Sequence, residues 1–124
     1  MKLITAEQRR MLVANGRAQA KHGALDPRPV VKLFTPDAQA TWLLTEVDPE
    51  DEDRAFGLCD LGHGFPELGW VSLAELRRVR GPFGLHIERD RGFTARYPLS
   101  VYAEAARRSG RITEQVSELE HATA

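Results

Sequence analysis

The first part of the chain has the spacing of an amphipathic helix. Thr5 followed by Gln8 fits a capping box, in which the hydroxyl accepts from the N3 amide and the glutamine reaches back to the cap. We predict a helix from there to about His22, where a glycine and a proline-rich stretch stop it. Its inward-facing residues should include Met11, Leu12 and Ala18. The pair Asn15-Gly16 weakens the middle by roughly 1 kcal/mol relative to alanine.

The middle of the chain alternates between apolar segments and turn-like segments. Three segments are rich in β-branched and aromatic residues, namely VVKLF (30–34), ATWLLTEV (40–47) and AFGLCDL (55–61). A fourth segment, GLHIERD (84–90), alternates the inward-facing Leu85 and Ile87 with polar residues, which is the period of a half-buried strand. The first three segments predict an antiparallel meander, and the fourth should join the same sheet.

Two further helices are predicted from their start and stop signals. Ser72 with Glu75 repeats the capping-box pattern ahead of a short apolar stripe. Pro98 suits a first helical position and Gly110 suits a C-terminal stop, so a third helix lies between them. We therefore predict an α+β fold, with a small antiparallel sheet of about four or five strands and about three helices packed on one face or end.

Length and composition indicate a single soluble domain. The chain has 124 residues, 42% of them apolar, and we assign 1–112 to one globular domain. The acidic stretch 113–124 has only Val116 and Leu119 as large apolar anchors, which predicts a weakly ordered tail. The single cysteine, Cys59, excludes an internal disulfide. No apolar run approaches the ~20 residues of a membrane span, so we expect a cytoplasmic protein that does not bind membranes.

The segment DLGHGFPELGW (60–70) concentrates glycine, proline and polar residues. It lacks the glycine spacing of a phosphate-binding loop, so we predict an ordered loop that Leu68 and Trp70 pin to the core, with at least one glycine at positive φ. The candidate binding residues in it are Asp60, Gly62, His63, Gly64 and Glu67. The polar side chains of this set should be exposed on a rigid support, where binding residues concentrate.

A second candidate site lies on the predicted strand 84–90. His86, Glu88 and Asp90 share one face of this strand and are residue types that bind divalent metals, which leaves a metal-dependent hydrolase or nuclease as an alternative function. The same alternation is typical of any antiparallel strand with one solvent-facing side. On this charged strand, the candidate binding residues are Glu88, Arg89 and Asp90.

Two pairs of side chains invite a catalytic interpretation that the sequence does not favour. Cys59 precedes His63 by four residues, but the cysteine lies in an apolar strand, where a free thiol usually acts as a small hydrophobe. Glu46 and Asp60 fall on neighbouring strands at positions on the order of 10 Å or more apart, which is too far for a joint acid–base pair.

The arginines suggest a further alternative, nucleic-acid binding by region 76–112. The arginines of this region are Arg77, Arg78, Arg80, Arg89, Arg91, Arg96, Arg107, Arg108 and Arg111. Arginine forks onto phosphate, but the net charge of −1 and the pI near 6.4 lie below the basic range of a dedicated binder.

Several ordered segments resemble one known family. The chain resembles the bacterial family known as domain of unknown function 2958, and the resemblance extends over nearly all of residues 3–112. The segments that carry it occur in the family's order and are PVVKLF, TWLL, FGLCDLG, PELG, VSL, IERD and PLS. It implies small cytosolic proteins of plasmids, phages and integrated elements, encoded among genes for DNA processing and antirestriction. It carries no catalytic residue over to this chain.

From the residues and the resemblance together, we expect a non-enzymatic accessory protein of a mobile genetic element. It should bind a protein or DNA-processing partner through the 60–70 loop and the charged strand 84–91, without a cofactor or a metal. A protein is the first candidate partner and DNA the second, and the oligomeric state stays open. The metal-dependent enzyme and the nucleic-acid binder remain alternatives.

Overall fold

A computed structural model describes residues 2–123 of the chain. Its helices are α1 (Ala6–His22), α2 (Leu73–Arg78), α3 (Leu99–Ser109) and α4 (Val116–Ala122). Its strands are β1 (Val31–Phe34), β2 (Thr41–Asp48), β3 (Asp51–Asp60), β4 (Glu67–Ser72) and β5 (Glu88–Arg89). The capping box predicted at Thr5 and Gln8 is present, because their side chains and backbones bond reciprocally. Of the one predicted at Ser72 and Glu75, the described bonds include the Ser72 hydroxyl accepting from the amide of Glu75 but no return bond from the Glu75 side chain. No helix of the described residues is long and apolar enough to cross a bilayer.

The five strands form one antiparallel sheet in the order β4-β3-β2-β1-β5. Strands β1, β2 and β3 are neighbours in sequence order, which confirms the predicted meander and the α+β class. Strand β4, which was not predicted, extends the meander by one strand. The predicted strand 84–90 contributes only two paired residues, since Glu88 and Arg89 pair with the last two residues of β1. The sheet thus has β4 at one edge and the very short β5 at the other.

Helices cover both faces of the sheet rather than one face or end, which corrects the predicted packing. On one face, α1 and α2 contribute Leu12, Leu73 and Leu76 to a cluster with alternate residues of β1 and β2. On the other face, α3 and α4 contribute residues such as Tyr102 and Leu119 to a second cluster. Strand β2 is buried at six consecutive residues, because helices cover both of its faces.

Helix α1 lies directly on the backbone of β2. A Cβ atom added to Gly16 would stand 1.9 Å from the carbonyl oxygen of Val47, so only glycine fits at this contact. Beside it, the Asn15 side chain donates to the carbonyl of Thr45 at 2.8 Å. The Asn15-Gly16 pair that weakens the helix in isolation is therefore the point at which the helix docks.

Residues 113–124, predicted to form a weakly ordered tail, include helix α4. Leu119 is buried against α3, and the Arg108 guanidinium donates to the carbonyl of His121 at 3.0 Å. Lys32 joins this segment to the sheet by ion pairs with Glu114 and Asp90. Burial alone would lower the pKa of Lys32, but Glu114 and Asp90 outweigh it and the pKa is raised.

Candidate functional site

Asp60 is a buried structural residue, contrary to the prediction that it is exposed for binding. Asp60 lies at the end of β3, and the residue as a whole is only 3% exposed. One carboxylate oxygen accepts from the amide of Gly62 at 2.9 Å, and the other accepts from the amide of Ile112 at 2.9 Å. Asp60 therefore ties the following loop to the segment after α3, and its burial keeps the carboxylate out of reach of a partner.

The glycines of the loop have the predicted conformation. Gly62 and Gly64 have φ of 84° and 88°, a region that L side chains rarely adopt. His63 lies between the two glycines and Glu67 follows them, and both side chains are exposed, as predicted for the polar residues of this loop. The backbone of Gly64 also lies against Gly110 at the end of α3. The loop is thus supported on one side and presents its side chains on the other.

The prediction that Leu68 and Trp70 are largely buried is wrong. Residues 67–72 are not part of a loop but form β4, the edge strand, and Leu68 and Trp70 are 51% and 44% exposed. Both lie on the sheet face that carries α3, because they pair with Leu58 and Phe56 of β3. Helices α3 and α4 pack over the centre of this face and leave its β4 side uncovered.

Leu68 and Trp70 on the strand and Phe65 just before it are all exposed apolar residues, and we call this set the β4 surface (Phe65, Leu68 and Trp70). Phe65 is the most exposed of the three at 81%. The Trp70 ring packs against Phe56 in a tilted arrangement, with centroids 5.2 Å and ring planes 59° apart, and the Arg54 guanidinium lies 4.9 Å from the centroid of the Trp70 ring. These contacts hold the indole in place while almost half of its surface stays in water.

Cys59 does not form a thiolate pair with His63. Burial, with a further contribution from the charge of Glu67, raises the pKa of the Cys59 thiol to about 11. The sulfur lies near the carbonyl of Gly57, in the strand interior. A thiol with this pKa is protonated at neutral pH and is a poor nucleophile.

This raised pKa predicts slow thiol chemistry. At pH 8, well under one per cent of Cys59 should be thiolate, so alkylation by iodoacetamide should be at least tenfold slower than for a free peptide thiol of pKa ~8.5. The rate should keep rising up to about pH 11. The measurement is a pH–rate profile by mass spectrometry, and a plateau near pH 8 to 9 would contradict the assignment.

The charged residues of 84–91 do not join the 60–70 loop in one surface. Asp60 pairs with Thr41, Thr41 with Phe34, and Phe34 with Glu88, so Asp60 and Glu88 are three strand spacings or about 14 Å apart. Strand β4 lies one spacing further away. A single partner could reach both only by crossing the sheet.

The other two predicted binding residues of this strand, Arg89 and Asp90, each bond to other residues of the chain. The Arg89 guanidinium donates to the carbonyl of Lys2 and so holds the N-terminal segment. Asp90 pairs with Lys32 and accepts from the amide of Gly92. These contacts give both side chains structural roles. The contacts with Lys2 and Lys32 do not show in a sequence pattern, because these partners lie far along the chain.

His86, Glu88 and Asp90 do not converge as metal ligands. His86 lies outside the strand in an isolated pairing with Arg80, while Asp90 is engaged with Lys32. Among residues 2–123, no three His, Cys, Asp or Glu side chains are grouped so that they could hold a metal ion. The metal-dependent alternative therefore finds no ligand set in the described part of the chain.

The arginines of region 76–112 lie on both sides of the sheet. Arg77 and Arg78 belong to α2, which packs on the α1 face, whereas Arg107 and Arg108 belong to α3 on the opposite face and pair with Glu104. Their hydrogen bonds lower the pKa of Glu104 to about 2. These four arginines therefore do not share one surface patch.

Sequence reasoning missed a groove of about 850 Å³ between the start of α1, helix α2 and the segment before β5. We call it the N-terminal groove, and its main lining residues are Lys2, Leu3, Ile4, Arg9, Arg77 and Ile87. The one available signal was the apolar pair Leu3-Ile4 before the cap Thr5, because an apolar residue at this position commonly packs back onto its helix.

The fold and its exposed edge define a small α+β protein built on a five-stranded antiparallel sheet. The chain matches the family described as "Protein of unknown function (DUF2958)" over residues 3–113, and it belongs to that family. No curated protein matches the chain, and no solved structure matches it. The family resemblance is thereby confirmed, whereas the mobile-element setting stays a prediction.

Proposed function

We propose that this protein is a non-enzymatic binding module that takes up an extended segment of a partner protein along the outer edge of β4. The observation that carries the proposal is the exposure of the β4 surface, with Leu68 and Trp70 on an edge strand whose outer side has no partner strand within residues 2–123 and Phe65 in the segment just before it. The proposed binding surface overlaps the predicted 60–70 binding region. The predicted 84–91 segment is not part of it, because that segment lies at the other edge of the sheet.

The edge of β4 lacks the features that keep sheet edges from pairing. It is six residues long, hydrogen-bonded on one side to β3 in an unbroken register, and carries one charge, Glu67, at its start. It has no lysine, proline or bulge, which are the usual protections of an edge. The opposite edge is protected, because β5 has two residues and both are charged. A row of free backbone donors and acceptors is therefore available only along β4 within residues 2–123.

The side chains of β4 suit an apolar extended segment. A strand added beside β4 would lie about 4.8 Å away, and alternate residues of it would fall next to Leu68 and Trp70 on one face. Backbone hydrogen bonds would supply affinity and the exposed aromatic rings would supply selectivity, as in other cases of strand addition. Trp and Phe anchors of this kind are enriched at protein interfaces over other surfaces.

The family resemblance supports a particular setting for such a module. Proteins of this kind are expected among the DNA-processing genes of mobile elements, so the proposed partner is a protein of that machinery rather than DNA itself. The separation of the arginines onto two faces of the sheet favours the protein partner.

The test is affinity purification from the native host with the wild-type chain and the Trp70→Ala variant, followed by titration of the protein recovered. Removing an anchoring tryptophan costs at least about 2 kcal/mol, so the dissociation constant should rise roughly 30-fold. Phe83→Ala is the matched control, since Phe83 is 83% exposed but lies outside the β4 surface.

Hydrogen exchange on the complex then separates strand addition from contact through side chains alone. The amides of residues 67–72 on the outer edge should gain protection when the partner binds. A partner retained at full affinity by Trp70→Ala, or protection that appears elsewhere and not in β4, would refute the proposal.

A further inference from the structure

The N-terminal groove has an apolar floor. Leu3, Ile4 and Ile87 form it, and each is 6% or 7% exposed, so their packing in the core fixes the shape of the floor. Leu85, which is 46% exposed, extends the apolar wall toward solvent. The volume of about 850 Å³ lies within the roughly 300–1,000 Å³ typical of small-molecule sites.

The rim of the groove is positively charged. Lys2, Arg9 and Arg77 line it, and Glu88 is the only carboxylate among all the described residues that line the groove. The whole chain has a net charge of −1, so this concentration of positive charge is local. Within residues 2–123, Arg9 has a long ion pair of 3.7 Å with Glu52, and neither Lys2 nor Arg77 is ion-paired.

We propose that the N-terminal groove binds a small amphipathic anion, a molecule with an apolar chain and one carboxylate or similar head group. The chain would lie on Leu3, Ile4 and Ile87, where it removes apolar surface from water at about 25 cal/mol per Å². The head group would bind Arg77 and Arg9, because a guanidinium forks onto a carboxylate and loses less hydration than an ammonium. The groove lies on the α1 face of the sheet and is independent of the β4 surface.

The probe is decanoate, used below its micellar concentration and titrated by calorimetry and by methyl NMR. Decanol, which has the same chain without the charge, and acetate, which has the head group alone, are the comparison ligands. Decanoate should bind at least about tenfold more tightly than decanol, because a charge-assisted bond contributes ~1.5 kcal/mol or more and each 1.4 kcal/mol is tenfold. The methyl resonances of Leu3, Ile4 and Ile87 should shift.

Arg77→Gln should weaken decanoate binding about tenfold and leave decanol binding unchanged. Arg78→Gln is the matched control, since Arg78 is the next residue of the same helix and does not line the groove. Both arginines are exposed, so both variants should fold. Equal binding of decanol and decanoate, equal effects of the two variants, or methyl shifts confined to the β4 surface would each overturn the proposal.

Discussion

Replacing Asp60 with alanine should lower the free energy of unfolding by about 3 kcal/mol. The reason is that Asp60 accepts two backbone hydrogen bonds, from Gly62 and Ile112, and bonds to a charged acceptor contribute ~1.5–3 kcal/mol each. The bond to Ile112 joins parts of the chain that are 52 residues apart, so its loss should also free the loop from the segment after α3. Chemical denaturation monitored by circular dichroism measures the difference.

A graded series separates the two bonds from a general effect of substitution. Asp60→Asn keeps one acceptor oxygen and should lose about half as much stability as alanine. Glu67→Ala, at an exposed carboxylate in the same region, should change stability by less than about 0.5 kcal/mol. A loss of stability for Glu67→Ala equal to that for Asp60→Ala would mean that the loop is held in some other way.

The sequence predicted most of the sheet because its period is visible locally. The apolar segments around β1, β2 and β3 lie between clear turn signals, and each was placed within a few residues of its observed bounds. The caps at Thr5, Ser72 and Gly110 could also be recognised, since a cap depends on residues within one turn of each other. Interactions of short range are therefore the part of this fold that one sequence reveals.

The candidate site could not be predicted in the same way. Large apolar residues such as Leu68 and Trp70 are usually buried, and a strand at the edge of a sheet has the same local pattern as one at its centre. Whether they face the core or the solvent depends on where α3 packs, which is a contact of long range. Asp60 was misjudged for the same reason, because its partner Ile112 lies in a distant segment.

The positions of the two edges also explain why the predicted binding region had to be divided. The chain reaches β5 only after crossing from β4 through α2 to the far side of the sheet, next to β1. Charge patterns in a sequence carry no information on this order of strands. As a result, segments 60–70 and 84–91 lie at different edges of the sheet, and the β4 surface and the N-terminal groove that we propose as sites lie on opposite faces of it.

Replacing Gly16 with alanine should destabilise the protein by about 3 kcal/mol, although alanine favours a helix over glycine by about 1 kcal/mol. The added methyl group would stand 1.9 Å from the carbonyl oxygen of Val47, which is backbone in a central strand and cannot turn aside. Helix α1 would have to lift from β2, which would stretch the Asn15 bond to Thr45 and open the packing around Leu12.

The control for Gly16→Ala is the reverse substitution, Ala14→Gly, at an exposed position two residues earlier in α1. It measures helix propensity alone and should cost about 1 kcal/mol. Thermal and chemical unfolding of both variants give the comparison. If Gly16→Ala proves as stable as the wild type, the helix can shift on the sheet without loss, and the close contact of Gly16 with β2 does not position α1 or the N-terminal groove beside it.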